Sequence, residues 1–329
     1  MVNFQEPRPN KTRPMVEAGI LAALMLILVL LRAMVPVVGN LATLLFPCCL
    51  CVIALRSGVR FAVMTVFVTV MLGIVMVGPL MIGVIALLDL APALVFMGMM
   101  VYRKPIGHIF FWPTLTQVVV QVCFMWILVG FFADISFTPE AIAGQMQQLL
   151  ENDYIRSTFS SGELEEVRRN IPLALPYIYG TAAAVMFLFF LAGTFVNYKL
   201  VSYFTRRFGQ TEMPALPPYV LWDFPRWLGM PLVIVFICNA YVQYRGLVVP
   251  IWMVNLGMFF LFTSGFFMLF QGFAVMKFLL ARHGVPRYVF YVLLVLSSFL
   301  SFIGTMAVFI GVIDIFLDYR RIRKKPQEG

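Results

Sequence analysis

An acid and a base stand inside apolar sequence in this chain, and they are the first residues to weigh for chemistry. Asp89 sits in ALLDLAPAL, three residues before Pro92, and Arg32 sits in LVLLRAM. A charged group at mid-helix in hydrocarbon costs on the order of 3 kcal/mol on insertion scales, so each must be paired, hydrated or used. Two roles fit Asp89: a functional acid, or a structural partner for another helix. Pro92 frees a backbone carbonyl nearby, and a carboxylate can sit where the helix bends. Two roles also fit Arg32. It either snorkels to the headgroups or stands as a cation at the mouth of a pocket for an anionic solute.

Uncharged polar residues add a second layer. Gln117 and Gln121 are four apart and share a helix face, with Thr114 one turn earlier. Asn40, Thr43, Pro47 and Cys51 form another stripe. Such stripes glue helices together, or they make a hydrogen-bonding site where they face one another around a cavity. Arg32, Asn40, Thr43, Asp89, Gln117 and Gln121 are therefore the substrate-binding candidates. Gly304, Ala307, Gly311 and Asp314 recur at steps of three and four near the C-terminus. Small residues let a neighbouring helix approach closely, so this face reads as packing, with Asp314 sequestered against the partner.

Several chemistries lack their residues. No Walker, HExxH, GxSxG or DxDxG run occurs, and neither His108 nor His283 has an acidic or cysteine neighbour. With no histidine near Cys48, Cys49, Cys51, Cys123 or Cys238, the five cysteines read as small buried hydrophobes rather than as disulfides or metal ligands. No cofactor, metal or catalytic residue is expected, and the chain does not read as an enzyme. It has no ATP-hydrolysing element, so active transport would draw energy from elsewhere.

The elements that must position these residues are nine long apolar stretches: 16–34, 39–55, 61–77, 80–101, 109–132, 173–198, 227–243, 248–279 and 288–317. Most are near the roughly 20 residues a helix needs to cross hydrocarbon. Hydrophobic residues make up 62% and charged residues 12% of the chain, about half the charge of a soluble domain. The fold class is all-α, a polytopic transmembrane bundle of eight to ten spans. The net charge of +9 reads as basic loops facing anionic lipid headgroups, not as a nucleic-acid footprint.

Charge bias orients the first six spans. Arg8, Lys11, Arg13, Arg56, Arg60, Arg103, Lys104, Lys199, Arg206 and Arg207 all fall on one side, which places the N-terminus in the cytoplasm. The first helix lacks a small-residue cleavage site, so it reads as uncleaved. Residues 1–200 form a six-span unit, 201–226 a proline-rich cytoplasmic connector, and 227–329 a smaller membrane unit with a basic tail. The loop 134–172 is acidic and extracytoplasmic, with helix starts at Thr138-Pro139-Glu140 and Ser161-Gly162-Glu163. The last stretch, about 45 Å as one helix, is too long for one upright span. It reads as a hairpin or as a span plus an interfacial segment.

Three features carry a resemblance: Gln271-Gly272-Phe273-Ala274-Val275 following Asn255, Gly311-Val312-Ile313-Asp314 running into Asp318-Tyr319-Arg320, and Trp227 with Pro231. Together they resemble the YybS-like family of bacterial membrane proteins (DUF2232), a domain of unknown function. The N-terminal half of that family is in turn similar to the substrate-binding component of energy-coupling-factor micronutrient transporters. That resemblance implies a six-helix bundle that binds a small solute near its outer face. It also implies partners, a coupling transmembrane subunit and ATPases. Small residues on the first helix, in AxxxA steps, would meet the coupling subunit. Ala18 and Ala22 match one step, Gly19 and Ala23 lie alongside, and the next step stops at Leu26. A non-transporting membrane scaffold is the competing reading.

Overall fold

Lipid offers no hydrogen bonds, so an apolar backbone within it must satisfy its own N–H and C=O groups, and a helix does so locally. The computed structural model describes residues 12–35, 39, 41–131, 139–152, 160–174, 177–207, 214–320 and 322, and among them every regular element is helical. In chain order these are α1 (Thr12–Met34), α2 (Phe46–Arg56), α3 (Val59–Val77), α4 (Pro79–Val101), α5 (Ile106–Phe131), α6 (Pro139–Leu150), α7 (Ser161–Ala174), α8 (Ile178–Arg207), α9 (Arg226–Arg245), α10 (Ile251–Arg282), α11 (Arg287–Phe299) and α12 (Ser301–Leu317).

Among the described residues seven helices are long and apolar enough to cross a membrane: α1, α3, α4, α5, α8, α9 and α10. An eighth is added if α11 and α12 count as one bent span, and the apolar segment Thr43–Arg56 is shorter. These match the nine stretches of the sequence. The final stretch breaks at Leu300, whose backbone is extended (φ −111°, ψ 97°), and the axis turns there by 112°. Large apolar side chains such as Leu80, Val75 and Trp126 stand exposed along the helices. Exposure on that scale suits a hydrocarbon solvent and not water.

The chain divides into two units, residues 1–133 with 187–216, and 134–186 with 217–329. In the first, Met25, Val29, Phe46, Leu50, Ile85, Phe96, Met100 and Val201 are fully buried in one core drawn from α1, α2, α4 and α8. Gly78 joins α3 to α4 at φ 96°, a backbone conformation that suits glycine. Tyr198 of α8 holds the start of the connector. Its hydroxyl donates to the Pro214 carbonyl (2.7 Å) and accepts from the Leu216 N–H (3.0 Å).

In the second unit α10 and α12 meet backbone to backbone. A Cβ on Gly272 would overlap the Ala307 carbonyl, and one on Gly311 would overlap that of Met268. The small-residue face of α12 thus rests on α10. Asn255 of α10 accepts from the Gly180 N–H at 2.7 Å. In the acidic loop, α7 opens on a capping box at Ser160, one residue before the expected start. The Ser160 N–H and hydroxyl both donate to Glu163 Oε2 (2.8 Å each), and the Glu163 N–H donates back to Ser160 Oγ (3.3 Å). These bonds hold the exposed Glu163 carboxyl below its ordinary pKa. Thr138, the expected cap of α6, lies outside the described residues, as do the N-terminal basic residues Arg8 and Lys11.

Candidate functional site

In α4 the helix widens into a π turn over Ala86–Leu90, with Asp89 inside it and Pro92 just beyond. Single π turns are frequent at functional sites. Proline has no N–H, so the Leu88 carbonyl loses its α-helical donor at Pro92. Gln117 of α5 supplies one instead, its Nε2 donating to Leu88 O at 2.9 Å. Arg32 of α1 donates from Nε to Asp89 Oδ2 at 3.2 Å. The two side chains keep 25% and 12% of their exposure, and no acceptor among the described residues takes the remaining guanidinium N–H groups. The site offers a fork of donors beside a carboxylate on a locally widened helix. That pairing can orient a small polar solute.

The other candidates divide. Gln121 is half-buried one turn from Gln117, and among the described residues it has no hydrogen-bond partner. Thr114 is fully buried and shares a hydrogen bond with Thr194 of α8 (3.1 Å), so it fastens helices. Thr43 opens the 3-10 turn before α2, half-buried. Asn40 lies outside the described residues. Its neighbour Gly39 lies on α1, where a Cβ would collide with the Arg32 backbone. On the first helix, Ala18 is buried in the core while Gly19 and Ala23 are exposed and Ala22 is intermediate. Gly304 faces Leu269 loosely, at 4.0 Å for an added Cβ. The cysteines are all free, and Cys48 and Cys51 stand at C-x-x-C spacing in α2. Cys48, Cys49 and Cys51 are buried, but Cys123 and Cys238 are exposed, because α5 and α9 turn those positions away from protein.

A second polar cluster was not assembled from the sequence. Asp318 ends α12 in the left-handed conformation (φ 47°) and swings the chain back. Arg320 then donates from Nε (3.1 Å) and Nη2 (2.9 Å) to Asp314 Oδ2. Its Nη groups also donate to the carbonyls of Val220 and, at 2.8 Å, Trp222. Gln271 of α10 donates to Asp314 Oδ2 (2.7 Å) and Asp223 (3.2 Å), and accepts from the Phe224 N–H (3.1 Å). Asp314 and Arg320 are 3% and 1% exposed. Tyr219 donates to the Phe270 carbonyl at 2.9 Å. Burial raises its phenol pKa, against the opposing pull of Arg320, and so keeps it a donor. The signal available in sequence was the recurrence of Gln271, Asp314 and Arg320 in the segments that carried the family resemblance.

A family model described as predicted membrane protein (DUF2232) matches residues 23–315. The chain belongs to that family. The match runs from α1 into α12, and it takes in Arg32, Asp89, Gln117, Gln271 and Asp314. No curated protein and no solved structure matches the chain. Membership in DUF2232 and the apolar helices together make this a multi-pass membrane protein.

Proposed function

We propose that this chain is a small-solute, micronutrient-like binding or transport component of the bacterial cytoplasmic membrane, with its N-terminus inside and no ATPase of its own. The observation that carries this reading is the Arg32–Asp89 pair. Two charges lie within apolar helices, yet among the described residues the pair uses one hydrogen bond, and it stays partly exposed. A pair kept solely for packing would be more fully satisfied, since leaving bonding capacity unused in low dielectric is costly. The likeness of the N-terminal half to energy-coupling-factor binding components supports it. By that likeness a coupling transmembrane subunit and ATPases are the partners, and the chain is not an enzyme.

Thermal-shift screening of the purified full chain against vitamins, nucleobases and amino acids tests the reading. A binder whose shift disappears in Asp89→Asn and Arg32→Gln supports it, and no shift across the panel counts against it. A second reading, a non-transporting scaffold, is favoured by the Asp314–Arg320 cluster, whose charges are consumed internally. Crosslinking in cells separates the two. Coupling subunits recovered with the chain support transport, and envelope-assembly or signalling proteins support the scaffold.

A further inference from the structure

At the other end of α1 from Arg32 lies a groove of about 340 Å³, lined by Ile20, Leu21, Cys49, Val52 and Phe204. All of it belongs to the first unit. From the groove's far lining residue, Leu45, to its rim residue, Arg56, the chain rises about 16 Å at 1.5 Å per residue. The floor is hydrocarbon, sulfur and aromatic ring throughout. Ile20 stands 66% exposed at its edge, on the side of the helix that faces the surrounding medium. A trough of this kind in a bilayer is filled by an acyl chain, because lipid is its solvent.

The groove's edge carries one ion pair, and more cations follow at the ends of the helices that line it or adjoin them in sequence. Arg56 sits at the end of α2 and pairs with Glu17 at 3.6 Å. Arg60 lies in the first turn of α3 and is exposed. Arg206 and Arg207 close α8 two and three residues after the groove residue Phe204, and both are exposed. Four cations thus lie at these helix ends against Glu17, the sole acid between residues 12 and 88. The start of α3 adds backbone donors, because no side chain caps its first amides. Positive charge over an apolar trough is the complement of a phosphate ester carrying an acyl chain.

We propose that the groove holds one anionic phospholipid of the surrounding leaflet, with an acyl chain along α2 and its phosphate among Arg60, Arg206 and Arg207. This site is separate from Arg32–Asp89 and does not depend on the transport reading.

The full chain, purified in nonionic detergent and stripped of lipid, is titrated with dioleoyl phosphatidylglycerol or dioleoyl phosphatidylcholine. Thermal unfolding and native mass spectrometry provide the readouts. Phosphatidylglycerol should raise the midpoint by several degrees and remain as one retained adduct, and phosphatidylcholine should do neither. The variant Arg60→Gln/Arg206→Gln/Arg207→Gln should bind phosphatidylglycerol about 100-fold more weakly, since each basic group near a lipid surface contributes about 1 kcal/mol. Val52→Trp, which fills the trough, should abolish the adduct. Where that variant fails to fold, Ile20→Trp at the exposed edge takes its place. Equal shifts from the two phospholipids, an arginine variant that binds as tightly as the parent, or a retained adduct in the filled groove would each overturn the proposal. So would oleate reproducing the whole effect, which would make the site one for a fatty acid.

Discussion

Two ion pairs, one in each unit, show how differently the same charges can be used. Arg320–Asp314 is closed. Three donors converge on Asp314 Oδ2, the Arg320 Nη groups reach two carbonyls, and water is excluded from both side chains. Arg32–Asp89 is open, with one bond among the described residues and exposure left on both members. The closed pair lies where a connector, a helix and the chain after α12 must be held together. The open pair lies on a π turn, where the helix has already given up regular bonding. Burial and three donors on Oδ2 mark the first as architecture, although Asp314 Oδ1 is buried without a partner among the described residues. Unused capacity at the second is what the proposed binding role rests on.

The largest effect should therefore come from cutting the closed pair. Asp314→Ala leaves the Arg320 guanidinium buried without its counter-charge, and removing one partner of such a pair costs about 3–5 kcal/mol. Arg320→Ala should cost a similar amount, because it also strips donors from the Val220 and Trp222 carbonyls. Chemical unfolding in detergent measures both. The double variant Asp314→Leu/Arg320→Met should recover part of the loss, but not all, since those two carbonyls still lack their donor. Full additivity of the two single losses would break the claim that they act as one unit.

A smaller effect is expected at the open pair. Asp89→Asn keeps the shape and removes the charge, and Arg32 still has solvent access, so the loss of stability should stay below that of Asp314→Ala. Gln117→Leu removes one hydrogen bond between membrane helices, worth about 0.6 kcal/mol on average. If Asp89→Asn instead matched Asp314→Ala in the same unfolding assay, the open pair would be architecture too, and the contrast between the units would collapse.

The difference between the two clusters also explains what could be read from the sequence. Apolar runs of bilayer length announce helices, because lipid allows a backbone little else, and all nine runs have a helical counterpart in the fold. The step of small residues at Ala307 and Gly311 likewise announced a close helix contact, which α10 supplies. The meeting of Arg32 with Asp89 was not legible. Each residue stood out by its cost in hydrocarbon, but sequence carries no distance between α1 and α4. Harder still was Arg320, which reads as one more basic residue in a basic tail. Only the left-handed turn at Asp318 sends it inward, and an aspartate before Tyr319 and Arg320 gives little notice of that turn. The proline-rich connector read as a boundary, yet Trp222, Asp223 and Phe224 in it are bonded into the second cluster.

The smallest effect tests the exposed loop, which neither pair touches. Glu163 caps α7 through Ser160, and those bonds lower its pKa from the ordinary value of 4.5. A carboxyl lowered on folding contributes stability that is present above its unfolded value and fades as pH falls through its folded value. Amide exchange at the start of α7 should accordingly quicken, relative to the intrinsic rate, as the solution is taken below pH 4.5. Glu163→Gln preserves an acceptor for the Ser160 amide while removing the titration, so its protection should be independent of pH across the same range. The two ion pairs should not respond to Glu163→Gln. Fraying that spread from α7 into α10 or α12 would show that the loop and the closed pair share one cooperative unit.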